Sequence, residues 1–339
     1  MDTSTAPASP PASTAGATGF AILAEGLVKV YGDTRALDGF DLAVRPGTVC
    51  GLLGPNGAGK STAVRILSSL LRPTAGRAEV AGFDVVRQPL EVRYRIGLTG
   101  QNAAVDDVLT GRGNLEMFGK LYHLSARQAR RRADELLEQF GLTEAANKQP
   151  KNYSGGMRRR LDLAISFIMS PPVLFLDEPT TGMDPRHRME VWHGVRRLVG
   201  QGTTVLLTTH YLDEADQLAD NISVIDHGRV IAEGTPAELK SRIGSDQLDV
   251  VLTNPGDVAR AAAILAEITR AQPTTHEEVP RVSVPAVNRA ATLTEAVRLF
   301  DAERIVVSDI GIRQPTLDEV FVRLTGRPAE STAPLEGRA

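Results

Sequence analysis

The stretch Gly54-Pro55-Asn56-Gly57-Ala58-Gly59-Lys60-Ser61-Thr62 constrains this chain more than any other. It matches G-x-x-x-x-G-K-[ST], in which glycines let the backbone curl round an anion while N–H groups and the positive end of the next helix face the charge. The pattern carries weight only between a strand and a helix. Val49 to Leu53 reads as a short buried strand, and Ala63, Val64, Ile66, Leu67, Leu70 and Leu71 recur at helical spacing behind it. The stretch therefore reads as a phosphate-binding loop. In such a loop Lys60 reaches the β- and γ-phosphates, and Ser61 offers its hydroxyl to Mg²⁺, a hard cation that takes oxygen ligands.

A chain of 339 residues has room for about two domains. It lacks any run of about 18 or more apolar residues, so a membrane role requires another chain. The net charge of −3 argues against a general nucleic-acid binder, which shows a basic domain or stripe. Arg130-Arg131-Arg132 and Arg158-Arg159-Arg160 are expected to be solvated helix faces. Cys50, the single cysteine, reads as a small buried side chain in an apolar strand. Residues 1–19 are mostly Ala, Pro, Ser, Thr and Gly and are expected to be disordered. With no basic start or apolar centre they do not make a secretory signal, which points to the cytoplasm.

Two strand-like stretches, Ala21 to Val30 and Phe40 to Val44, precede the loop, with Tyr31 between them able to stack on a base. Ile96 to Gln101 reads as a strand running out into a loop. A helical insertion then extends over about 102–152, including a capping box at Ser125-Ala126-Arg127-Gln128 and a stop at Gly141. Tyr153-Ser154-Gly155-Gly156-Met157 leads into another helix, with Ser154 as its N-cap.

Val173 to Leu176 is an unbroken apolar run, as in a parallel strand buried on both faces, and it ends at Asp177-Glu178. Ligands of open α/β sheets bind beyond the carboxyl ends of the strands, so these carboxylates would meet the phosphate loop. Thr204 to Thr209 repeats the pattern and delivers His210 to the same edge. Asp226-His227-Gly228 reads as a tight hairpin turn between two further strands. No His/Cys cluster has the spacing of a zinc site.

Together these motifs resemble the nucleotide-binding subunits of ATP-binding-cassette transporters, over roughly Ala21 to Lys240. The resemblance implies an α/β P-loop NTPase fold over about 20–243: a RecA-like core with an antiparallel β subdomain and a helical subdomain. It implies ATP and Mg²⁺ as ligands. Tyr31 matches the adenine-stacking aromatic, Gly54 to Thr62 the Walker A loop, and Gln101 the glutamine that touches Mg²⁺ and the membrane partner. Ser154, Gly155 and Gly156 match the signature sequence, whose usual leading Leu is Tyr153 here. Asp177 matches the Walker B metal ligand, Glu178 the catalytic carboxylate and His210 the switch histidine, while Thr181-Gly182-Met183-Asp184 matches the D-loop.

Walker A and the signature each occur once. In the family the signature of one subunit caps the ATP on Walker A of another, so the implied unit is a head-to-tail dimer, joined to a separate transmembrane permease at the cytoplasmic face of the membrane. Beyond residue 245 strand and helix patterns alternate to about 326 as a small α+β domain of the βαββαβ kind, without a nucleophile, metal set or Gly-rich loop, and fit for dimer contact or regulation. Residues 327–339 are expected to be a disordered tail. Pro315 to Phe321, Leu324-Thr325-Gly326 and the run 153–162 are similar to daunorubicin/doxorubicin-resistance-type subunits, which implies outward movement of an amphipathic drug or lipid-like metabolite. The rival reading is a soluble cassette ATPase acting on DNA or ribosomes. Its repair members carry a long coiled coil and its translation members two cassettes, and this chain shows neither.

Overall fold

The computed structural model describes residues 19–100, 104–243, 246–276, 279–286 and 288–326. Contacts divide these into two compact units that meet in sequence at Thr235–Pro236.

The first unit opens with an antiparallel hairpin, β1 (Ile22–Tyr31) and β2 (Thr34–Val44), longer in its second strand than the apolar pattern implied. Next come β3 (Val49–Leu53), the glycine-rich loop and α1 (Lys60–Leu67). The helix is shorter than its apolar spacing suggested: Ser68 caps it, Ser69 turns left-handed, and Leu70 is 60% exposed rather than on the core face. Strands β4 (Ala75–Val80) and β5 (Phe83–Asp84), helix α2 (Pro89–Tyr94) and strand β6 (Ile96–Thr99) follow.

The helical insertion contains α3 (Gly111–Leu121) and α4 (Ala126–Gln139). The Ser125–Gln128 capping box is formed in both directions, and Gly141 follows the helix with positive φ. Then come α5 (Gly155–Ser166), β7 (Val173–Asp177), α6 (Pro185–Gly200), β8 (Thr204–Thr209), α7 (Leu212–Leu218), β9 (Asn221–Asp226) and β10 (Arg229–Gly234). His227 and Gly228 both take positive φ in the β9–β10 turn, whose twist suits a two-residue hairpin.

One six-stranded sheet runs β10-β9-β3-β8-β7-β6, parallel except for β10; a second, antiparallel, runs β2-β1-β4-β5. The centres of β3, β7 and β8 are apolar because both of their faces are covered. Val173, Phe175 and Leu206 point into a core shared with α1 and the antiparallel sheet, whereas Leu174, Leu176, Val205 and Leu207 point into one shared with α4, α5 and α6. Burial of an apolar side chain of this size stabilises by about 1.5–3 kcal/mol, so the strand centres are the firmest part of the sheet. Cys50 packs in the first core, and burial pushes its thiol pKa up to about 12.

The second unit begins with α8 (Pro236–Ile243), ahead of the compositional shift at residues 243–245. It continues as β11 (Gln247–Leu252), α9 (Val258–Thr269), β12 (Thr274–His276), β13 (Arg281–Pro285), α10 (Arg289–Ala302), β14 (Val307–Arg313) and α11 (Leu317–Thr325). Its sheet is antiparallel in the order β12-β13-β11-β14, a split βαββαβ arrangement. The inward residues Leu248, Val250, Val282 and Val284 meet Ala261, Leu265 and Phe300 of the helices. Helix α11 has a complete Thr316–Glu319 capping box and ends at Gly326 in the left-handed conformation; its Leu317, Val320 and Phe321 are buried.

Candidate functional site

Strand β3 ends at Leu53, and the chain turns through Gly54–Gly59 into α1. Gly59 is the N-cap residue at φ 109°, and a Cβ there would lie 2.6 Å from the Ala36 carbonyl oxygen, so only glycine fits. Gly54 backs as closely onto the Ile225 carbonyl. The loop is thus wedged between β2 and β9. Lys60 is buried, with Nζ donating to the carbonyls of Gly54 (2.7 Å) and Pro55 (3.1 Å) across the loop. Asn56 and Gly57 are exposed at the crest; Ala58 is buried and Thr62 half-buried. Tyr31 closes β1, 45% exposed, with the Lys29 ammonium 5.1 Å from its ring centre; the strand after it supplies the Ala36 and Leu37 that back the loop.

The ends of β7 and β8 meet this loop. Asp177 Oδ1 accepts from Thr208 Oγ1 (2.5 Å) and, more weakly, from Ser61 Oγ (3.4 Å). A carboxylate and two hydroxyls form an oxygen set of the kind Mg²⁺ takes. Among the described residues no group of three or more His, Cys, Asp or Glu could hold a metal. Gln101 lies outside the described residues.

Glu178 has φ 51°, the left-handed region that costs a side-chain-bearing residue about 1–2 kcal/mol. Its N–H donates to the carbonyl and hydroxyl of Thr208, both at 3.1 Å. His210 Nδ1 lies 3.3 Å from Glu178 Oε1 without making a hydrogen bond, and both side chains are largely covered.

Ser154 caps α5 by accepting from the Met157 N–H at 3.2 Å, and Ser154 and Gly155 are exposed. Gly156 faces the ring of His187 at the start of α6, where Asp184 is the N-cap and bonds that ring; the imidazole holds the Asp184 carboxyl below its usual pKa. The Tyr153 hydroxyl donates to the Ala145 carbonyl (2.7 Å), on the helical side of the chain. The larger side chain therefore packs into the helical segment instead of crowding Ser154. A pocket of about 400 Å³ lies between this helix start and the turn after β7, lined by Gly155, Arg158, Arg159, Glu178 and Thr181 to Met183.

The arginine run before it is not a solvated face. Arg158 pairs with Asp107, Arg160 with Glu190, and Arg159 turns mostly inward onto Asp162, Gly100 and Pro179. In the other run Arg130 and Arg131 are exposed as expected, but Arg132 reaches the Phe167 and Ile168 carbonyls and Ser170. Charge alone concealed these roles; the i,i+3 spacing of Arg159 and Asp162 was the available signal.

A family model described as ABC transporter matches residues 37–181. The chain is 60% identical over 314 residues to the daunorubicin resistance ATP-binding protein DrrA2 of Streptomyces coeruleorubidus, covering 93% of this chain and 98% of the relative. It is 52% identical to the daunorubicin/doxorubicin resistance ATP-binding protein DrrA of Streptomyces peucetius (91% and 94% covered) and 34% identical to the linearmycin resistance ATP-binding protein LnrL of Bacillus subtilis (90% and 98%). Among solved structures, an ATP-binding subunit of an ABC transporter aligns at TM-score 0.59 and 27% identity, over 65% of this chain and 92% of that one. A dimeric cassette, MJ0796, described as post-hydrolysis with ADP and Pi, aligns at TM-score 0.58 and 26% identity, over 63% and 98%. With its P-loop, paired carboxylates and histidine gathered on one sheet edge, the chain belongs to the ATP-hydrolysing subunits of ABC transporters, in the daunorubicin/doxorubicin-resistance group.

Proposed function

We propose that two copies of this chain sandwich two ATP molecules head to tail and use their hydrolysis to drive a separate membrane permease that exports an amphipathic drug or lipid-like metabolite. The observation that carries the site assignment is the meeting at Asp177 of Ser61 from the phosphate loop and Thr208 from β8, with Glu178 and His210 beside it. The cargo reading draws on the relatives named for daunorubicin, doxorubicin and linearmycin resistance and for Nod factor export. No described helix is long and apolar enough to cross a membrane, which suits a subunit held at the cytoplasmic face by its permease.

In this reading the amides of Gly54 to Thr62 and the N-terminus of α1 bind the phosphates, Tyr31 stacks on adenine, and Lys60 exchanges its loop carbonyls for phosphate oxygens. Ser61, Asp177 and Gln101 are the residues that would hold Mg²⁺, whose charge offsets that of the β- and γ-phosphates. Glu178 orients the attacking water and His210 fixes the γ-phosphate beside it. Ser154, Gly155 and Gly156 of the second copy complete the electrostatic cradle, since phosphoryl transfer is mostly positioning and charge stabilisation. The second unit serves dimer contact or regulation.

Glu178→Gln keeps the side-chain shape and loses the negative charge. We expect ATP binding close to wild type and a fall in turnover of at least about 100-fold, as for loss of a positioned general base. Hydrolysis at the full rate would remove Glu178 from that role.

A further inference from the structure

The largely covered guanidinium of Arg159 lies on α5, three residues beyond Gly156. Its side chain is 10% exposed and that of its partner Asp162 only 4%. Nε donates to the Pro179 carbonyl (2.8 Å); Nη2 points between the carbonyls of Asp177 and Glu178 (3.5 and 3.4 Å); Nη1 donates to the Gly100 carbonyl (2.9 Å) and to Asp162 Oδ2 (3.1 Å). Asp162 Oδ1 accepts the Ala104 N–H at 2.8 Å. One fork therefore touches the ends of both β6 and β7.

The turn it grips is the strained one. Glu178 sits at φ 51°, a conformation that persists only where its surroundings over-determine it. Thr208 secures the amide side of this turn and Arg159 the carbonyl side. Released on one side, the backbone would relax and carry the carboxylate away from His210. Arg159 also belongs to α5, which begins at Ser154. A displacement of that helix start would reach the Glu178 turn through a single side chain.

We infer that Arg159 is a positioning residue for hydrolysis, which aims the Glu178 carboxylate by holding the carbonyls of residues 177–179 and links that aim to whatever Ser154 to Gly156 bind. The inference rests on the assignment of Glu178 given above. A lysine cannot reproduce the planar fork, so Arg159→Lys keeps the charge and loses the grip.

The test is steady-state ATPase and fluorescent-ATP binding on the full-length chain with Mg²⁺, for Arg159→Lys, Asp162→Asn, Glu178→Gln and the Arg159→Lys/Glu178→Gln pair. In Arg159→Lys, kcat is expected to fall about tenfold or more while KM and nucleotide affinity stay within about twofold, the pattern of a lost transition-state contact. Asp162→Asn is expected to shift kcat in the same direction by less. The double variant is expected to be no slower than Glu178→Gln alone, because both changes remove one function. Unchanged kcat in both single variants, a KM that rises as kcat falls, or a double variant slower by the product of the two losses would overturn the inference. Should Arg159→Lys fail to fold by its thermal transition, Asp162→Asn alone decides it. If Glu178→Gln hydrolyses at full rate, the carboxylate assignment falls and this inference with it; if that variant is inactive, a contrary result counts against Arg159 alone.

Discussion

Glu214 shows how one buried side chain couples the site to stability. It is fully buried in α7, and its Oε1 accepts from Thr180 Oγ1 (2.8 Å) and Trp192 Nε1 (3.0 Å), tying the turn after β7 to α6 and α7. Its Oε2 has no hydrogen-bond partner among the described residues. Burial raises its pKa, with hydrogen bonds from Thr209, Thr180 and Trp192 and the charge of Arg188 pulling partly back. The folded chain therefore keeps the proton at pH values where the unfolded chain has lost it. Stability from this group is full below the unfolded pKa and declines as pH rises through the folded one. Glu214→Gln keeps an oxygen for Thr180 and Trp192 but does not titrate. Its stability relative to wild type is expected to rise as the pH climbs from about 4 towards neutrality, read from denaturant midpoints at a series of pH values. A constant difference across that range would show that Glu214 does not carry the titration.

At the scale of elements, α5 and α6 meet closely at their first turns. A Cβ on Gly156 would come within 2.3 Å of the His187 ring, so Gly156→Ala must displace that ring and the Asp184 contact it makes, or part the helix starts. Overpacking of this kind costs about 1–3 kcal/mol, and adding His187→Ala is expected to return most of that loss, as a double-mutant cycle on thermal stability would record. Additive losses would place the strain elsewhere.

What sequence could convey about such elements depended on whether the signal was local. β7 and β8 were legible as unbroken apolar runs, and α4 from its capping box and one-sided apolar spacing. The phosphate loop was legible because its glycines answer a backbone demand. Strands β11 and β13 were legible from alternation, but β12, three residues at a sheet edge, has too short a pattern to read. Helix α11 carried a capping box that its similarity to known subunits overshadowed. The carbonyl contacts of Arg159 and Arg132 were not legible, because a charged letter does not reveal which carbonyls will face it after folding; only the Arg159–Asp162 spacing offered a hint.

At the scale of the whole molecule, one chain holds the parts of two half-sites. Ser154 and Gly155 are exposed at the start of α5, while Gly156 is backed by His187 of the same chain, so the signature face is open to a partner. A two-fold dimer would place that face over the phosphate loop of the other copy and create two equivalent sites. The most direct measurement is ATPase activity of mixed dimers made from a Lys60→Ala chain and a Ser154→Arg chain. Each variant alone spoils both sites of its homodimer, whereas a heterodimer joins the intact Lys60 of one chain to the intact Ser154 of the other. An equal mixture, with heterodimer formation verified by differently tagged copies, is expected to recover roughly a quarter of the wild-type rate for independent sites. Full activity in either variant alone, or no recovery in verified heterodimers, would contradict a shared site.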